Sequence, residues 1–129
     1  MIKAEDLRIG DIVRYGKNTI TILAVHANGG VCFTDGKDQL YAEDVLLEPI
    51  LLTPEILEKN GWKKRTEGWY FMMISKYMYL SVEFGYENGI RVFLKRTTDG
   101  IYVKLNTANN VHELQHILWA LGKDANLKI

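Results

Sequence analysis

Apolar and polar side chains alternate through the second half of the chain. Met78, Leu80, Val82 and Phe84 recur with period two, as do Ile90, Val92 and Leu94, and then Ile101, Val103 and Leu105. Side chains on a strand point to opposite faces in turn, so these ten positions predict one apolar sheet face. Residues 69–74, 77–84, 90–96 and 101–105 are the predicted strands. Glycine-rich turns at 85–89 and 97–100 join the last three, and the whole reads as an antiparallel four-stranded meander. Further on, Val111, Leu114, Ile117, Leu118 and Leu121 recur at helical spacing. Asn110 suits the N-cap, Glu113 completes a capping-box pattern and Gly122 ends the run. This C-terminal helix is expected to pack on the apolar face, and residues 127–129 to add a short edge strand.

Residues 1–52 follow another pattern, of short β-branched runs between turns. Strands are expected from Ile12, over 19–25, over 31–34 and over 39–41, with a helical turn at 42–45 and a last strand at 46–51. Asn28-Gly29-Gly30 and residues 35–38 supply tight turns. This order predicts a small β-barrel and resembles the Src-homology type. Thr53-Pro54 marks the boundary, as N-cap and first helical residue of a helix that Gly61 stops. Ile56 and Leu57 are its expected core contacts. Trp62-Lys63-Lys64-Arg65 reads as a solvated basic loop with an anchored Trp62. The expected fold class is α+β: a barrel unit at 1–52, then a helix, a meander and a C-terminal helix at 53–129.

Charge and cysteine content narrow the function classes. Sixteen basic and sixteen acidic side chains balance, so no net field draws nucleic acid or an anionic membrane. Cys32 is the sole cysteine, which excludes an intrachain disulfide and a multi-cysteine zinc site. Between Val31 and Phe33 it reads as a buried core thiol. The first residues lack the apolar run of a signal peptide, and no segment reaches the ~20 apolar residues that span a bilayer. A cytoplasmic protein without membrane partners is expected.

The run Val111-His112-Glu113-Leu114-Gln115-His116-Ile117-Leu118-Trp119-Ala120-Leu121 resembles the Val-His-x-Leu-Gln-x-Leu-x-x-Ala-Leu ending of a family of small uncharacterised proteins from gut bacteria and their phages or mobile elements. Asp6 to Val13 is similar to that family's opening, and Leu52 to Leu57 with Gly61-Trp62 to its middle segment. The resemblance implies an accessory protein and carries over no catalytic residue.

Two constellations could carry chemistry. His112-Glu113-Leu114-Gln115-His116 matches His-Glu-x-x-His, in which two imidazoles one helical turn apart share a zinc and the glutamate acts as general base. A catalytic zinc needs a third protein ligand, and no acid but Asp124 follows His116. The expected role is therefore two partly exposed helix histidines beside an apolar stripe; a zinc-dependent hydrolase is the alternative. The other constellation is the meander's second face, carrying Tyr79, Ser81, Glu83, Arg91, Phe93, Lys95, Tyr102 and Lys104. Such a face reads first as one packed on the first unit or as an ordinary cross-strand ladder; aromatics interleaved with cations also suit a protein partner or self-association, and less well a nucleic acid.

Overall fold

A computed structural model describes residues 2–42 and 47–129. The chain is α+β and divides into two compact units, 1–51 and 52–129, each holding a five-stranded antiparallel sheet.

In the first unit, a 3-10 turn at Ala4–Asp6 precedes β1 (Ile12–Tyr15), β2 (Asn18–Val25), β3 (Val31–Thr34), β4 (Gln39–Ala42) and β5 (Leu47–Glu48). The strands lie in the order β4-β3-β2-β1-β5. Alternate residues point inward, so Leu7, Val13, Ile20, Ile22, Val31, Phe33 and Leu47 form the core. The same alternation corrects the expectation for Cys32. Because Val31 and Phe33 face in, Cys32 turns to the other side and is half-buried, its Sγ 3.4 Å from His26 Nε2. No ladder joins β4 to β5 among the described residues, so the sheet is observed with two edges rather than as a closed barrel. Of the helical turn expected at 42–45, residues 43–45 lie outside the described residues, and Ala42 ends β4. The last strand is confined to Leu47–Glu48 within the expected 46–51.

The second unit opens with α1 (Pro54–Lys59). Thr53 Oγ1 accepts the Ile56 N–H, Pro54 takes the first turn and Gly61 leaves the helix with φ +86°. Leu57 is buried and Ile56 half-buried. Then come β6 (Lys63–Thr66), β7 (Trp69–Met73), β8 (Met78–Glu83), β9 (Arg91–Arg96), β10 (Tyr102–Lys104) and α2 (Val111–Ala120). The sheet runs β10-β9-β8-β7-β6, five strands where four were expected. Lys63–Thr66 has no apolar face, so its sequence reads as a loop; antiparallel pairing with β7 makes it a strand. Trp62, beside it, is buried as expected.

Leu80 faces Leu94 and Val82 faces Val92, so these four positions share one face as alternation predicts. Leu80, Val82 and Val92 are fully buried, as are Val111, Leu114 and Leu118 of α2. The apolar sheet face and the apolar helix stripe are thus the unit's core, with Leu57, Trp62 and Tyr70. Asn110 has the extended backbone of an N-cap but makes no side-chain bond to the helix backbone. Instead its Nδ2 donates to Glu113 Oε1 at 2.7 Å. The expected C-terminal edge strand is absent. Asn60 binds the tail instead, donating from Nδ2 to the Lys128 carbonyl and accepting the Lys128 N–H on Oδ1.

Candidate interaction face

Register places the predicted polar positions together. Tyr79 lies opposite Lys95, Ser81 opposite Phe93 and Glu83 opposite Arg91; Tyr102 then faces Lys95, and Lys104 faces Phe93. The face extends onto β7, where Trp69 faces Glu83 and Phe71 faces Ser81. Sequence reasoning had not assigned Trp69 and Phe71 to it, although Trp69, Phe71 and Met73 repeat the same period of two.

Glu83 is the centre of this face and only 2% exposed. Its Oε2 lies 2.8 Å from Lys95 Nζ and accepts the Ser81 hydroxyl at 2.8 Å, while its Oε1 accepts the Tyr86 hydroxyl at 3.2 Å. A buried carboxylate needs such partners, because desolvation otherwise costs several kcal/mol. Lys95 Nζ is surrounded by rings, 5.2 Å from Trp69, 5.3 Å from Phe93 and 6.0 Å from Tyr102. The Arg91 guanidinium stacks 3.9 Å from the centre of Tyr86. Phe93 and Tyr102 meet edge to face at 5.5 Å. At the other side of the face, Arg65 Nη1 donates to the Tyr79 hydroxyl at 2.8 Å, and these two with Phe71 line a small cleft of about 260 Å³.

Two features follow from this geometry. Lys95 is paired with Glu83, and Arg91 is stacked on Tyr86. Tyr102 is held against Phe93 yet is 61% exposed, and the adjacent Lys104 is exposed too. At the β6 edge, Lys64 and Glu67 pair at 2.6 Å. Their shared hydrogen bond holds the lysine above the usual lysine range and the glutamate below the usual carboxylate range.

The helix histidines lie elsewhere in the unit. His112 is 5% exposed, which corrects the expected partial exposure; positions 112 and 115 widen the buried stripe of α2. His116 is half-buried and stacks on Trp119 at 5.8 Å, and the two imidazoles are 5.8 Å apart. Glu113 accepts from Asn110. Among the described residues, no set of three His, Cys, Asp or Glu side chains comes together to hold a metal ion. The residues present therefore fit a catalytic zinc poorly, since it requires three protein ligands and an open position.

No helix among the described residues is long and apolar enough to cross a membrane. No protein family, curated protein or solved structure matches this chain.

Proposed function

We propose that this chain is a non-enzymatic interaction protein. It binds a partner protein or a second copy of itself through the face built on Tyr79, Arg91, Phe93, Lys95, Tyr102 and Lys104. The exposure of Tyr102 carries this reading. A tyrosine steadied by an edge-on Phe93 presents a large apolar ring at little entropic cost, which is the character of an interface anchor. An accessory role for a phage or mobile element in the cytoplasm, and closure of the first unit as a small Src-homology-type barrel, belong to the same proposal. The five short antiparallel strands of the first unit, consecutive from β1 to β4, support that last reading.

Nucleic-acid binding is disfavoured because Lys95 is neutralised by Glu83 and Arg91 is stacked on Tyr86. A hydrolase using His112, Glu113, His116 and zinc is disfavoured by the buried His112 and the missing third ligand.

The proposal is tested by placing a photocrosslinking phenylalanine analogue at Tyr102 and, separately, at the exposed Glu67. One protein species is expected from position 102, absent from position 67 and lost when Lys104→Glu is added. Equal capture from both positions, or capture indifferent to Lys104→Glu, would count against the face.

A further inference from the structure

The second sheet ends in two edges of opposite character. At one, β6 presents Lys63, Lys64 and Arg65 in succession, all exposed. Such charge keeps a free edge from pairing with another strand. The other edge carries a single lysine, Lys104, among exposed apolar side chains. Ile101 is 55% exposed and Val103 59%, although alternation predicted both in the core.

The backbone of this edge is open as well. On its inner side the Arg96 N–H donates to the Ile101 carbonyl and the Leu105 N–H to the Val92 carbonyl. In an antiparallel ladder alternate residues turn both polar groups the same way. Residues 101, 103 and 105 therefore serve β9, while Tyr102 and Lys104 turn their N–H and C=O outward. No hydrogen bond takes up those groups among the described residues. Beside the edge, Leu105 lines a groove of about 390 Å³ with Ile117, Ala120 and Leu121, and with Lys104 and Asn106.

We propose that β10 pairs antiparallel with β10 of a second copy, about a two-fold axis at Val103. This rests on reading the Tyr102 side of the sheet as a binding surface. Tyr102 then lies opposite Lys104 of the second copy, and each such pair exchanges both N–H···O=C bonds across the seam. Val103 meets its own counterpart in a non-hydrogen-bonded pair, with Cα atoms about 4.5 Å apart. Ile101 of the second copy falls opposite Leu105, at the mouth of the groove that Ile117 and Leu121 line. On the other face, the Lys104 ammonium meets the Tyr102 ring, and no like charges stand directly opposed.

The self-complementarity selects a second copy as the occupant. One register satisfies the open backbone groups, covers the exposed Ile101 and Val103 and places cation against ring. The two five-stranded sheets become one continuous sheet, whose aromatic–cation faces lie on the same side as a single surface. A C2 pairing of this kind is closed and cannot propagate into a fibre through β10.

The test uses the full chain with Cys32→Ser, so that one introduced thiol reports on position. Under mild oxidation V103C should be trapped as a disulfide-linked dimer, because its counterpart lies directly across the seam. Y102C should not, because its counterpart is diagonal and beyond the roughly 7 Å Cα separation that a disulfide spans. By sedimentation velocity the unmodified chain should be a dimer. Val103→Lys, which opposes two like charges, should halve the mass without altering circular dichroism. A chain that is monomeric at every concentration up to its solubility limit would overturn the pairing, as would equal trapping from positions 102 and 103. If that monomer still couples a foreign protein from Tyr102, the self-pairing alone falls and the proposed function stands.

Discussion

The two faces of the second sheet are buried by different means. Leu80 and Ser81 are neighbours on β8, and both are almost fully removed from solvent. Leu80 belongs to the apolar face that shares the core with the buried stripe of α2, where the transfer of hydrocarbon from water supplies the stability. Ser81 and Glu83 are buried on a polar face, closed by hydrogen bonds, an ion pair and rings around Lys95. Burial alone therefore does not identify the core. The first face tolerates exchange of one hydrocarbon for another, whereas the second depends on particular partners and leaves Tyr102 and Lys104 exposed.

The largest expected effects come from cutting each face at its centre. Leu80→Ala should cost about 4 kcal/mol, as a buried leucine truncation that leaves a cavity. Glu83→Ala should cost about 3 kcal/mol, because it strands Lys95 in a site from which water is largely excluded. The double variant Glu83→Leu, Lys95→Met should recover at least half of that loss, since removing both charges leaves no uncompensated ion. Urea denaturation of the three variants distinguishes the mechanisms. Equal loss in the single and double Glu83 variants would mean that this face, too, is held mainly by packing.

A smaller effect is expected at the tail. Asn60→Ala removes its bonds to the Ile56 carbonyl and to the Lys128 backbone, and should cost about 2 kcal/mol. Hydrogen exchange should localise the change to the Lys128 amide and the end of α1, with the sheet amides unaltered.

The smallest effect is a pH dependence of the apolar face. Tyr70 sits opposite Val82 on that face, and its hydroxyl donates to Glu58 Oε1 at 3.2 Å. Burial first, and then the Glu58 charge and hydrogen bond, push the phenol above the ordinary tyrosine value. The fold disfavours the ionised form, so stability is unaffected below the range where an unfolded tyrosine titrates, near pH 10. It declines as pH rises through that range toward the folded value. An ultraviolet titration should show Tyr70 ionising late, and Glu58→Gln should bring its ionisation back toward the ordinary tyrosine value.

Much of this was legible in the chain. Period-two alternation in β8 and β9 assigned each residue to the face on which it lies, since strand geometry leaves no third option. Thr53-Pro54 and Gly61 marked the first helix, because caps are local chemistry. Properties that depend on register and end effects were not legible. Alternation puts Glu83 on the second face, but its burial depends on the pairing that brings Lys95 and Tyr86 onto it. Lys63–Thr66 has no apolar periodicity and is a strand only because β7 lies beside it. Ile101 and Val103 carry a core pattern but stand on an edge strand, which alternation cannot report. The helix pattern did not reveal that His112 is buried, because a polar residue next to a stripe can fall on either side of its border.

The proposed binding surface is the β10 side of the second sheet. Amide hydrogen exchange of Tyr102 and Lys104, followed as protein concentration rises, tests it most directly. Both amides should exchange rapidly in dilute solution and gain protection together, while the β6 edge stays unprotected. If Tyr102 and Lys104 exchange freely at every concentration and protection develops at another surface, the claim is wrong.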